Sequence, residues 1–219
     1  MNGQSKDRWF RALLAGVGGQ GVLLTSRVLC EGAMRAGLHV VSSEIRNMAQ
    51  RGGSVSATVV TGGARSPVIP LGEADVVVGF EPMETARAAR YMGKNTLVIT
   101  NTRPVTPLTL SVRGRPYPPL DALLSQIRES CGELITIDAT RAALEKGSLR
   151  ALNMVMLGAM AARSAVPIEN GILAGIVSEE SPDGFRKINV SAFESGADLV
   201  GGWRRAGGAG RHNPGRGEI

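Results

Sequence analysis

Three glycines mark the first place in the chain where chemistry could be held. In A-G-V-G-G-Q-G-V-L-L (15–24), Gly16, Gly18 and Gly21 spell G-x-G-x-x-G between an apolar run and a helical pattern. A glycine turn that opens a helix leaves free N–H groups at the helix N-terminus, and these favour an anion such as a pyrophosphate. The first glycine permits the tight turn, the second admits a ligand to the backbone, and the third allows close helix–strand packing. Dinucleotide binding also wants an acidic residue near the end of the second strand, about 20 residues on. Glu44 follows Gly21 by 23 residues. The residues alone leave two readings open: a bound phosphate-containing ligand, or a turn that serves only folding.

A second glycine cluster begins just after Glu44. Met48, Ala49, Gln50, Arg51, Gly52, Gly53 and Ser54 place an amide, a guanidinium and two flexible glycines within seven residues. Successive N–H groups in such a turn can form an anion-binding nest, with Arg51 as a forked donor. The plainer alternative is a bend before a strand, with Arg51 in a solvated ion pair. Other reactive groups are few. The two histidines, His39 and His212, fall between a helix and a strand and in the C-terminal tail, so neither reads as catalytic. Cys30 and Cys131 lie 101 positions apart, too few thiols for a disulfide framework or a four-thiolate cluster in this chain alone.

The elements that must position these residues follow from periodicity. Residues 10–17 form a short apolar run ending in glycine, a buried parallel strand, and 20–36 carry apolar residues at helical spacing up to Gly37. A strand over 38–44 completes a β-α-β unit with an expected right-handed crossover. Residues 54–62 alternate and are β-branched, whereas 74–80 and 95–100 are continuous apolar runs that suit strands buried on both faces. Helices are expected over 81–93 and 119–132, with a strand at 133–139. These patterns predict an α/β fold: a Rossmann-like, doubly wound, mostly parallel sheet with helices on both faces.

The last third is helical. Residues 149–165 carry an apolar helix whose one strongly polar residue between Arg150 and Arg163 is Asn153. A helix without a polar face is buried centrally or against a partner. Burial of Asn153 would require a hydrogen bond, either within its own chain or to a partner. Two further helices fit 168–180 and 188–200.

The M-A-Q-R-G-G cluster does not stand alone. A-G-V-G-G-Q-G-V-L-L-T-S-R-V-L, S-S-E-I-R-N-M-A-Q-R-G-G-S, A-D-V-V-V-G-F-E-P-M-E-T and L-N-M-V-M-L-G-A-M-A occur in that order. Together they resemble the gamma-type domain of the 2-oxoacid:ferredoxin oxidoreductases, the pyruvate/ketoisovalerate family, over residues 10–200. The M-A-Q-R-G-G-S form is most similar to the small subunits of the indolepyruvate branch. The resemblance implies an oxidoreductase subunit that holds no cofactor alone. Thiamine diphosphate and iron–sulfur clusters would sit on a large partner subunit, which decarboxylates an aryl 2-oxoacid, passing the acyl group to coenzyme A and electrons to ferredoxin. Carried onto this chain, Gly18, Gly19, Gln20 and Gly21 would face the coenzyme A side of the cleft. Gln50, Arg51, Gly52 and Gly53 would approach the partner or the coenzyme A phosphates, and Glu44 and Met48 are further cofactor-binding candidates. Ile45, Arg46 and Asn47 replace the histidine and glycine often found there, which leaves the identity of the aryl oxoacid open.

Whole-chain properties bound the alternatives. With 219 residues, 43% hydrophobic and 20% charged, the chain suits one globular domain over 10–200. Seven glycines and four arginines after Val200 predict a disordered tail over 201–219. That tail holds +3 of the net charge of +6 (four arginines against Glu218), and the chain is only 4% aromatic, so a nucleic-acid role is not indicated. Residues 1–10 lack a signal-peptide apolar core and no run approaches the ~20 apolar residues of a membrane span, so a cytoplasmic protein is expected. The rival function is a free-standing NAD(P)- or flavin-binding oxidoreductase using Gly16, Gly18, Gly21 and Glu44.

Overall fold

The computed structural model describes residues 9–46, 53–106, 116–164 and 166–202. Six strands form one sheet: β1 Phe10–Val17, β2 Val40–Arg46, β3 Ser54–Thr61, β4 Val76–Gly79, β5 Leu97–Asn101 and β6 Glu133–Ile137, in the order β2-β3-β1-β4-β5-β6. β1, β4, β5 and β6 pair in parallel, while β3 runs antiparallel to both β1 and β2. The sheet is thus mixed and mostly parallel, as expected.

The β1-α1-β2 unit differs from the simplest expectation, because β3 is inserted between its two strands. The polarity of the strands explains the order. β2 carries Ser42, Ser43 and Glu44 and suits an edge, where charged and polar residues blunt further pairing. β3 buries Ala57 and Val59 on one face and Val60 on the other, so it belongs inside the sheet. The β2–β3 link spans only residues 47–53, so β3 returns antiparallel beside β2.

Helices cover both faces. On one lie α1 (Val22–Arg35), α4 (Ala139–Glu145), α5 (Leu152–Arg163), α6 (Asn170–Glu180) and α7 (Arg186–Leu199). Their apolar sides close on Ala12, Leu14, Val59, Val78 and Ile99. On the other face α2 (Pro82–Arg87) and α3 (Leu120–Ser130) pack Met83, Leu123 and Ile127 onto Val77 and Val98. The helix expected over 81–93 ends early, giving way to a 3-10 turn at Ala89–Tyr91. The Arg90 and Tyr91 carbonyls there accept the N–H groups of Gly72 and Ala74 instead of continuing the helix.

α5 is buried from Leu152 to Ala162 within this chain, which settles the central placement over the partner-covered one. It crosses α7 at backbone contact: a methyl on Gly158 would lie 1.8 Å from the Phe193 carbonyl oxygen, and one on Gly196 would lie 1.9 Å from that of Val155. Among the described residues no helix is long and apolar enough to cross a membrane. From residue 203 on, the expected tail falls outside the described residues.

Candidate functional site

The glycine turn lies at the carboxyl ends of the parallel strands. It sits where β1 has β3 on one side and β4 on the other, the reversal point at which open α/β sheets receive ligands. After Val17 the chain passes through Gly18, Gly19 and Gln20, and α1 begins at Val22 with Gly21 as its N-cap. Gly19 and Gly21 adopt left-handed φ values of 97° and 81°, which glycine tolerates at little cost. No side chain caps α1 and its first turn holds no acidic residue.

The Gln20 side chain has a role of its own. Its Oε1 accepts the Val17 N–H at 2.9 Å and its Nε2 donates to the Phe80 carbonyl at 3.0 Å. It is a strut that ties the turn to the end of β4. Asn101 donates to the same Phe80 carbonyl at 3.1 Å, and its Oδ1 accepts the N–H groups of Ala139 and Thr140 at the start of α4. Two carboxamides thus hold the ends of β1, β4 and β5 and the start of α4 in fixed relation. Sequence reasoning missed Asn101, which could be found only by noting a lone carboxamide at the end of an apolar strand.

The two glycine clusters meet. The Gly18 N–H donates to the Gly53 carbonyl at 2.9 Å, so the start of β3 leans on the first turn. Met48, Gln50, Arg51 and Gly52 lie outside the described residues, as does Asn47. Just beyond Gly53, Ser54 Oγ donates to Glu84 Oε2 at 2.6 Å, linking this corner to α2.

Glu44 is not brought to the turn. It pairs with Ala57, which pairs with Leu14, so it stands level with Leu14 rather than with Val17. It is also two strands from β1, about 10 Å across the sheet. Its charge is felt instead by Cys30 of α1, whose thiol is pushed up by burial and further by Glu44, against hydrogen bonds from Ser42 and Ser26. His39 is exposed at the opposite end of β2, and His212 is outside the described residues.

Asn153, in the first turn of α5, packs flat on Gly21: a methyl there would lie 2.7 Å from Asn153 Cβ and 2.8 Å from its Nδ2. It is buried as expected, yet among the described residues its carboxamide has no hydrogen-bond partner. The required hydrogen bond is therefore not made within the described chain. Glu81, fully buried, caps α2 by accepting the Glu84 N–H and also accepts the Tyr117 hydroxyl and the Val105 N–H. Burial, then the bond to Glu81, holds the Tyr117 phenol well above its ordinary range, so it stays protonated, donating to Glu81 while its oxygen accepts the Met83 N–H at 3.1 Å.

A mostly parallel sheet with this glycine turn, and Gly53 of the second cluster hydrogen-bonded to it, defines a Rossmann-like domain. The chain belongs to the pyruvate ferredoxin/flavodoxin oxidoreductase family, whose model matches residues 11–199. It is 41% identical over 187 residues to indolepyruvate oxidoreductase subunit IorB of Methanothermobacter thermautotrophicus, covering 85% of this chain and 95% of that protein. Its fold resembles the gamma subunit of a keto/oxoacid ferredoxin oxidoreductase from Geobacter sulfurreducens PCA, with a TM-score of 0.63, 18% identity, and coverage of 87% of this chain and 98% of that one. It also matches 31% of a chain of 2-oxoglutarate:ferredoxin oxidoreductase from Magnetococcus marinus, over 88% of its own length, with a TM-score of 0.66 and 20% identity; that structure has 2-oxoglutarate, coenzyme A and succinyl-CoA bound.

Proposed function

We propose that the chain is the small subunit of a thiamine diphosphate-dependent 2-oxoacid:ferredoxin oxidoreductase of the indolepyruvate or aryl-pyruvate type. In this reading it lends the glycine corner to a cleft shared with a large subunit. The large subunit carries thiamine diphosphate and the iron–sulfur clusters, and coenzyme A and ferredoxin are the acyl and electron acceptors. The carrying observation is the Gly18–Gly53 hydrogen bond, which makes one corner of the two clusters. The name of the relative from Methanothermobacter supports the indolepyruvate type, and the coenzyme A bound in the Magnetococcus enzyme supports the acyl acceptor.

The role assigned to each part is limited to binding and positioning. Gly18, Gly19 and Gly21 present backbone to the cleft, and Gln20 holds that backbone against β4. Arg51, with Met48, Gln50, Gly52 and Gly53, supplies the cationic side of the corner toward the coenzyme A phosphates or the partner. Glu44 has no part at the turn in this reading. Its distance removes the ribose acceptor that a dinucleotide would use, which disfavours a free-standing NAD(P) or flavin enzyme.

Reconstitution tests the proposal. This chain added to its large subunit is expected to restore coenzyme A-dependent, aryl-oxoacid-driven reduction of a viologen dye. Arg51→Ala is expected to impair that activity while leaving thermal unfolding of the chain unchanged. Full activity from the large subunit alone would remove the proposal, and micromolar calorimetric binding of NAD(H), NADP(H) or FAD by the isolated chain would favour the rival.

A further inference from the structure

The α2/α3 layer covers only half of its face of the sheet. Over β4 and β5 that face presents Val77 and Val98 beneath the helices. Over β1, β3 and β2 the same face has two cross-strand rows, Leu13–Thr58–Ser43 and Ala15–Ser56–Ile45. Small side chains at Ala15, Ser43 and Ser56 leave a hollow, walled by Pro67–Ile69 on one side and by α2 and its 3-10 turn on the other. The resulting cavity has a volume of about 310 Å³. That lies at the small end of the ~300–1,000 Å³ typical of ligand pockets.

Its lining has two chemistries. The apolar part is Leu13, Ala15, Ile69 and the ring of Tyr91. The polar part begins with hydroxyls: Thr58 Oγ1 is buried without a hydrogen-bond partner among the described residues, a costly state that a ligand acceptor would relieve. Charge is the second element. Glu84 is buried, held by Ser54 and paired with Arg87, so those two charges cancel. Arg90 lies over the Tyr91 ring at 4.8 Å and bonds its hydroxyl through Nη2, and it has no carboxylate partner among the described residues. The wall therefore carries one uncompensated positive charge beside an apolar hollow.

We propose that this cavity is a binding site for a small organic monocarboxylate with an apolar body, its carboxylate at Arg90 and its body over Leu13, Ala15 and Ile69. The site adjoins the glycine corner, with Ser54 on its lining, but it does not rest on the function proposed above, since it is tested on this chain alone.

The probe is phenylacetate, titrated into the full-length chain by calorimetry and by chemical-shift perturbation. Phenylacetamide serves as the neutral isostere and acetate as the anion without a body. Phenylacetate is expected to bind saturably, at least 5-fold more tightly than phenylacetamide and than acetate. Ser56→Leu, which fills the hollow, is expected to abolish binding while leaving the Tm within a few degrees of wild type. Arg90→Gln is expected to erase the preference of acid over amide. Absence of saturable phenylacetate binding overturns the proposal, as does equal binding of acid and amide by the wild-type chain. Undiminished binding by Ser56→Leu, or by a smaller Ser56→Val should the leucine variant unfold, overturns it too.

Discussion

Alanine substitution at Gly16, Gly19 and Gly21 separates what folding needs from what the assembled enzyme needs. At Gly16 an added methyl would lie 2.8 Å from Phe80 Cβ and 2.9 Å from Val22 Cγ2, so strand and helix must part. At Gly21 it would meet Asn153 at 2.7 Å, on a backbone already at φ 81°. At Gly19, φ is 97° but a methyl meets nothing within 4 Å. A left-handed alanine costs about 1–2 kcal/mol, and overpacking a tight site adds about 1–3 kcal/mol. Gly19→Ala should therefore lose only about 1–2 kcal/mol, a Tm decrease of about 2–8 °C for a chain of this size. Gly21→Ala should lose about 2–5 kcal/mol, the sum of both costs. Thermal unfolding of each purified variant gives the first readout. The second is coenzyme A-dependent viologen reduction after mixing with the large subunit, well below the lowest Tm. Gly19→Ala is expected to fold and yet lose at least ~10-fold in activity, because its methyl enters the space the proposed cleft uses. Full activity from a folded Gly19→Ala would refute the placement of the turn in that cleft. A larger Tm loss at Gly19 than at Gly21 would refute the steric ranking itself.

Other substitutions probe the frame behind the turn. Gly158→Ala drives a methyl into the Phe193 carbonyl and should lower the Tm by several degrees, despite a helix-propensity gain of up to ~1 kcal/mol. At Gly175 the same change meets only Glu179 Oε1 at 3.7 Å and should raise the Tm by about 1–4 °C, so equal signs at the two sites would contradict the packing described. Gln20→Ala removes bonds to Val17 and Phe80 and should cost about 1–3 kcal/mol, with Gln20→Glu worse because a carboxylate cannot donate to the Phe80 carbonyl. An unchanged Tm with lost activity would instead make Gln20 a ligand contact. Cys30 and Cys131 are both pushed up, chiefly by burial, so the native state holds these protons longer than the unfolded chain. Unfolding stability should then be intact below about pH 8.5 and fall above it, as the unfolded thiols ionise first. Denaturant titrations at pH 7 to 10 read the slope, and Cys30→Ala should flatten it.

Local pattern was enough to place β1, α1 and the turn between them, because an apolar run, a glycine cluster and a 3.6-residue period each stand on neighbouring residues. The continuous apolar runs at 74–80 and 95–100 likewise read as buried strands, found at Val76–Gly79 and Leu97–Asn101, and the unrelieved apolar stretch before Arg163 as a buried helix, though not whether its own chain or a partner buries it. What adjacency hides is pairing across distance. Gln20 reads as one residue of a backbone turn, and nothing nearby shows that Phe80, sixty positions away, takes its side-chain amide. Asn153 reads as a residue awaiting a hydrogen bond, while its measurable role is to occupy the space that Gly21 leaves open. For Gln20 the partners are backbone atoms, which carry no signature in the sequence.

The dinucleotide fingerprint shows where such pattern reading stops. Its glycines are a statement about β1 and α1 alone, and the structure keeps that geometry intact. Its acidic residue is a statement about strand order, since a carboxylate at the end of the second strand reaches the ligand only when that strand neighbours the first. Here β3 intervenes, and the reason is visible in side-chain polarity: Ser42-Ser43-Glu44 belongs on an edge, and Ala57, Val59 and Val60 belong inside. Inserting β3 moves the acid away and, by the same step, carries Gly53 to the Gly18 N–H. Gly53, and not a ribose-binding carboxylate, then stands beside the turn. In the function proposed above such a corner grips a ligand through its anionic groups and is completed by another subunit, which is the distinction that NAD(H) titration of the isolated chain and reconstitution with its partner measure from opposite sides.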